Sequence, residues 1–97
     1  MKLYWHDRAR SEYEEAVDFY LEHAGPAIAR DFAIALNEAL RLLSEYPAIG
    51  MATDKRVRRI PLRGFPFNVV YRLQTDRLVV IALANQSRRP GYWGRRR

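Results

Sequence analysis

The spacing of apolar residues changes period once along this chain, and that change constrains the fold more than any other feature. After Asp7, the residues Ala9, Tyr13, Ala16, Val17, Tyr20 and Ala24 recur at the steps of an amphipathic helix. Asp7 is expected to cap that helix. Gly25-Pro26 ends it and opens a second helix, since glycine suits the position past a helix end and proline suits a first turn. The second helix is expected over Pro26 to Tyr46, with Ile28, Phe32, Ala35, Leu36, Ala39, Leu43 and Tyr46 on one stripe. Ile34, Leu40 and Leu42 lie off that stripe, and Pro47 closes the helix. Beyond it the helical period is gone. Lys55 to Leu62 carries Val57, Ile60 and Leu62 among arginines, and Phe65, Phe67, Val69, Tyr71 and Leu73 alternate strictly. Leu78 to Leu83 is an unbroken apolar run, the pattern of a central strand buried on both faces. Arg63-Gly64 and Thr75-Asp76 supply the hairpin turns. With an aromatic-rich strand at Lys2 to His6, the order is strand, helix, helix and three strands.

The expected class is therefore α+β. An antiparallel helical hairpin packs on one face of a mainly antiparallel four-stranded sheet, which buries both amphipathic stripes. The N-terminal strand lies beside one of the last three, and period alone does not say which. A chain of 97 residues, 48% of them apolar, fits one domain over 1–97, with 85–97 as a basic C-terminal tail. The chain has no cysteine, which removes disulfides, thiol nucleophiles and cysteine-based zinc sites. No apolar run nears the ~18 residues that span a bilayer. Met1 to Asp7 does not read as a signal peptide, so a cytoplasmic location without membrane association is expected.

Charge is segregated. Residues 1–49 hold 5 cations and 9 anions, whereas residues 50–97 hold 12 cations and 2 anions. All the cations except Lys2 and Lys55 are arginines. A field this lopsided suits an anionic partner. No phosphate loop, metal-ligand spacing or nucleophile–base pairing is visible, so no cofactor, metal or catalytic residue is expected. The run Glu12, Glu14, Glu15 and Asp18 reads as the solvated face of a helix. Two basic sets rise above this background. One is Lys55, Arg56, Arg58, Arg59, Arg63 and Arg72 on the strands, where a planar guanidinium fork suits phosphate or carboxylate. The other is Arg88-Arg89-Pro90-Gly91-Tyr92-Trp93, where a turn sets two aromatics beside two arginines. Two arrangements suit that segment: a cation–aromatic grip on a partner, or aromatics folded back as a lid on the sheet. The last residues, Gly94-Arg95-Arg96-Arg97, hold nothing apolar and are expected to be mobile and dispensable.

These residues carry a family likeness. Ala9-Arg10-Ser11-Glu12, Phe19-Tyr20, the Leu43-x-x-x-Pro47-x-x-Gly50 closing segment and Arg58-Arg59-Ile60-Pro61-Leu62 form its first half. Phe65-Pro66-Phe67-Asn68-Val69-Val70-Tyr71-Arg72 and the ending Ala82 to Trp93 complete it. The chain resembles the RelE/ParE superfamily of type II toxin–antitoxin toxins. The resemblance implies two helices on an antiparallel sheet and a growth inhibitor neutralised by an antitoxin in a hetero-oligomer. It offers two activities: RelE-like members cut messenger RNA on the ribosome, and ParE-like members block DNA gyrase without being hydrolases.

Two departures favour the ParE-like, non-enzymatic reading. RelE-like nucleases carry Tyr-Arg-x-x-Tyr where this chain has Phe67-Asn68-Val69-Val70-Tyr71, and an amide cannot supply the charge of that arginine. Asn85 stands where relatives with this ending often carry histidine, removing a group that titrates near neutrality. The expected target contacts are Arg88, Arg89, Tyr92 and Trp93, with Arg59 and Arg72. A small acidic, partly disordered antitoxin is expected to cover Ile34, Leu40 and Leu42. A ribosome-dependent endoribonuclease and a toxin relic without activity are the alternatives.

Overall fold

The computed structural model describes residues 1–54 and 56–96. Lys55, counted above among the strand cations, and Arg97 lie outside the described residues. Strand β1 (Lys2–Trp5) leads into helices α1 (Asp7–His23) and α2 (Pro26–Glu45). Strands β2 (Met51–Ala52), β3 (Val57–Pro61), β4 (Phe67–Leu73) and β5 (Arg77–Asn85) follow.

The sheet has five strands in the order β1-β5-β4-β3-β2, one more than the sequence suggests. The extra strand is β2, two residues long, and only its pairing of Met51 with Arg59 and Ala52 with Arg58 makes it a strand. The N-terminal strand finds its place beside β5 and runs parallel to it, while the other pairings are antiparallel. That puts β5 between β1 and β4, and explains its unbroken apolar run.

Helix α1 is capped by His6 rather than Asp7: His6 is extended, and its Nδ1 accepts from the Arg8 N–H at 3.1 Å. Asp7 instead sits in the first turn, where a carboxylate complements the helix dipole. Gly25 separates the helices at φ 94°, a conformation that a side chain disfavours. On α2 the buried line is Ala29, Phe32, Leu36, Ala39 and Leu43. Ile28, placed on the stripe by the sequence, lies one position off this line and is exposed. Tyr46 follows the last helical residue, departs from the line and is also exposed.

Both faces of the sheet are covered. On the helix side, Phe32 is the centre of an aromatic cluster. Its ring centroid lies 5.1 Å from that of Tyr20, 5.2 Å from Phe65 and 5.4 Å from Phe67. Leu36, Leu43, Val69, Tyr71, Leu78, Val80 and Leu83 extend this core. Alternation sends Val57, Val70, Ala82 and Ala84 to the opposite face, where Trp93 packs on them.

The loop from α2 to β2 is pinned from beneath. The Tyr71 hydroxyl donates to the Pro47 carbonyl at 2.6 Å and accepts from the Gly50 N–H at 3.0 Å. The Arg58 guanidinium donates to the carbonyls of Ala48 and Gly50 at 3.1 and 2.7 Å. The Leu-x-x-x-Pro-x-x-Gly segment is thus a structural lock, and Arg58 belongs to it.

Candidate functional site

The pairing of β1 with β5 ends at Trp5 opposite Val80, after which the His6 N–H donates to the Val80 carbonyl at 2.8 Å. Farther along, the outer edge of β5 has no strand neighbour among the described residues. Two side chains take that place. Glu12 Oε1 accepts from the Leu83 N–H at 3.1 Å, and Arg96 Nη1 donates to the Ile81 carbonyl at 3.0 Å. Arg96 also grips both Glu12 oxygens, Nη1 to Oε1 at 2.7 Å and Nη2 to Oε2 at 3.2 Å. The two side chains are only 9% and 14% exposed, so the pair is held out of water. Bidentate geometry and backbone partners on each side offset the cost of desolvating it.

Within the expected mobile end, Arg96 is therefore part of the fold. The residues 94–97 look solvent-seeking because three are arginines, yet Arg96 has a buried carboxylate to meet. Its carbonyl in turn accepts from Arg72 Nη2 at 3.2 Å. Glu12 corrects a second expectation. It does not share the solvated face of Glu14, Glu15 and Asp18, which are exposed.

Tyr92 completes the cluster. Its hydroxyl donates to Glu12 Oε2 at 2.9 Å, and the Arg88 guanidinium carbon lies 3.8 Å from the ring centroid. Arg96 approaches the same ring at 5.1 Å. Burial, then the hydrogen bond and the negative charge of Glu12, push the phenol up to about 12 against the opposing pull of Arg88 and Arg96. At neutral pH Tyr92 is a firmly held proton donor. The segment reaches this position through two turns. Asn85 Oδ1 accepts from the Ser87 N–H at 2.9 Å and the Ser87 hydroxyl at 2.8 Å. Gly91 then turns the chain at φ 87°. Glu12, Ala16, Phe67, Leu83, Arg88 and Tyr92 line a shallow groove between α1 and this segment.

The structure brings together only part of the predicted site. Arg88 and Tyr92 meet, and Arg89 is exposed beside them. Trp93 does not project outward. It is 8% exposed and serves as the lid on the second core, its ring edge-on to Tyr92 at 5.1 Å. Arg59 and Arg72 lie on the face opposite the helices, across from Val70 and Val57. Arg59 reaches Met51 Sδ at 3.7 Å, whereas Arg72 is committed to the Arg96 carbonyl, with its Nε buried and without a partner among the described residues. Arg63 is exposed at the β3–β4 turn and Arg58 turns to the α2–β2 loop, so among the described residues the strand cations do not all share one face. Of the residues expected to meet an antitoxin, Ile34 and Leu42 are exposed, at 47% and 36%. Leu40 is partly buried and packs on the helix-side core, because it points inward beside Leu36 and Leu43. Asn68 and Asn85 face opposite sides of the sheet, since Asn68 pairs with Ala84 and Asn85 with Phe67.

Sequence reasoning missed Glu12 and Arg96. A signal for Glu12 existed: it sits three residues after Ala9 and four before Ala16, both buried, so it lies on the buried line of α1. A carboxylate there needs a partner. Among the described residues no group of three or more His, Asp or Glu is placed to hold a metal ion. No helix among them is long and apolar enough to cross a membrane.

The fold that these contacts build is an α+β sandwich of a helical hairpin on a five-stranded sheet, closed at one edge by its own C-terminal segment. It is similar in structure to a chain of the chromosomal ParDE toxin–antitoxin system of P. aeruginosa. The TM-score is 0.76 at 20% identity, over 88% of this chain and 95% of that one. No curated protein matches the chain. Residues 3–90 match the family described as ParE toxin of type II toxin-antitoxin system, parDE, and the chain belongs to that family.

Proposed function

We propose that this ParE-family toxin arrests growth by binding DNA gyrase, without hydrolysing any substrate, and that a small acidic antitoxin holds it inactive. The observation that carries the reading is the cation–aromatic stack of Arg88 on Tyr92, which is fixed to the sheet through Glu12. A preorganised arginine over an aromatic ring is a strong contact for a protein surface, because little side-chain freedom remains to be lost on binding. The protonation of Tyr92 supports binding over catalysis. A phenol pushed up to about 12 and bound to a carboxylate is poorly matched to proton transfer near neutrality. The opposite facing of Asn68 and Asn85 points the same way, since the two positions do not share one site.

The purified chain is expected to inhibit gyrase supercoiling, and Arg88→Ala to weaken inhibition by about tenfold or more, the cost of one anchor contact. Its melting temperature should be unchanged, because Arg88 is exposed. Unimpaired supercoiling together with messenger cleavage in the ribosomal A site would establish the nuclease instead. Absence of both activities and of any growth defect would mark a relic.

The antitoxin is expected on the outer face of α2, at Ile34 and Leu42, with its acidic residues toward the basic half of the chain. Ile34→Asp with Leu42→Asp should leave the fold intact and weaken antitoxin binding by about 100-fold. An unchanged affinity by calorimetry would move the antitoxin to another face.

A further inference from the structure

Among the described residues, Glu12 is the one acidic side chain of α1 that accepts hydrogen bonds from three distant residues, on strand β5 and on the C-terminal segment. Its donors are the β5 backbone at Leu83, the Tyr92 hydroxyl and both terminal nitrogens of Arg96. The partners on the C-terminal segment lie 80 and 84 residues away in sequence. Tyr92, Trp93 and Arg96 also lie beyond residue 90, where the match to the family ends. This arrangement does more than tie down an end. The carboxylate fixes the Tyr92 hydroxyl, and so fixes the plane of the ring on which Arg88 stacks. Arg96, held by the same carboxylate, takes up the Ile81 carbonyl and carries the chain back over the sheet, where Trp93 is buried.

We propose that Glu12 is the positioning residue of the toxin's contact surface: it docks the C-terminal segment onto the open edge of β5 and, through Tyr92, aims Arg88. Glu12 itself need touch no target. The proposal rests on the reading that Arg88 and Tyr92 meet the target, and its structural half stands apart from that reading. A carboxylate is required, because each of its oxygens faces an Arg96 nitrogen that can only donate. A glutamine would turn its own N–H₂ toward one of them and would lose the charge opposite Arg96.

The test labels the two tryptophans with 5-fluorotryptophan and follows them by fluorine NMR, with Trp5→Phe assigning the pair. In Glu12→Gln the Trp93 resonance should broaden or move toward the solvent-exposed position while that of Trp5 stays. Trypsin should cut after Arg88 about tenfold faster or more, as expected of a local opening. Growth inhibition at equal levels of soluble protein should fall by at least about tenfold. Arg96→Lys should retain more order and more inhibition than Arg96→Gln, and it supplies the same comparison if Glu12→Gln does not fold. Glu14→Gln, on the solvated face, should change nothing. A folded Glu12→Gln whose Trp93 signal and trypsin sensitivity match the parent overturns the proposal. So does a freed segment with inhibition intact. A parent chain that does not arrest growth defeats the toxin reading alone, and the Trp93 signal then decides whether Glu12 holds the segment.

Discussion

Replacing Arg96 by alanine is expected to lower the free energy of unfolding by about 3–5 kcal/mol, the usual cost of breaking a buried ion pair. The loss is large because Glu12, only 14% exposed, would be left with Tyr92 and one backbone N–H as partners. The Ile81 carbonyl would also lose its donor at the edge of β5. Removing residues 94–97 should cost as much, although those residues read as dispensable in the sequence. A domain of this size has a total stability of roughly 5–15 kcal/mol, so the variant should unfold far earlier in urea. Chemical unfolding followed by tryptophan fluorescence measures it. A change below about 1 kcal/mol would show that the pair contributes no more than a surface ion pair.

Gly50→Ala should cost about 3 kcal/mol, from overpacking together with lost hydrogen bonds. A Cβ at Gly50 would lie 2.6 Å from the Tyr71 hydroxyl oxygen, 2.8 Å from its ring and 2.9 Å from the Arg59 carbonyl oxygen. Tyr71 is fully buried and has nowhere to swing, and the third contact is backbone of β3. Either the hydroxyl leaves Pro47 and Gly50 or the loop leaves the sheet. Tyr71→Phe removes the nearest clash along with the two hydrogen bonds. The double variant Gly50→Ala/Tyr71→Phe should therefore be less destabilised than the sum of the two single variants. Additive losses in thermal unfolding would show that the clashes with the ring of residue 71 and with the Arg59 carbonyl dominate over the one with the hydroxyl.

Local pattern made much of this protein legible. The helices follow from the spacing of Ala9, Ala16, Phe32, Leu36 and Leu43, and their junction from Gly25-Pro26. Strand β4 follows from its alternation, and the central place of β5 from a run that leaves neither face polar. The resemblance rested on the Leu43-x-x-x-Pro47-x-x-Gly50 segment, and the structure supplies its reason in Tyr71 and Arg58, which bind its backbone. The candidate site was legible only at Arg88 and Tyr92. Trp93 could be read as a contact or a lid, and only the apolar surface of Val57, Val70, Ile81 and Ala82 makes it a lid.

By itself the sequence determined which faces turn inward, because the steps of a helix and the alternation of a strand are properties of neighbouring residues. Tertiary structure alone decided what meets across the chain. Met51–Ala52 is a strand only because Arg58 and Arg59 pass beside it. β1 settled on β5, and its short pairing left an edge of β5 open beyond Val80. That open edge is what turns Glu12 and Arg96 from surface charges into partners: unsatisfied backbone groups there demand an acceptor and a donor. Nothing near either residue in sequence specifies that demand, since it arises from where another strand stops.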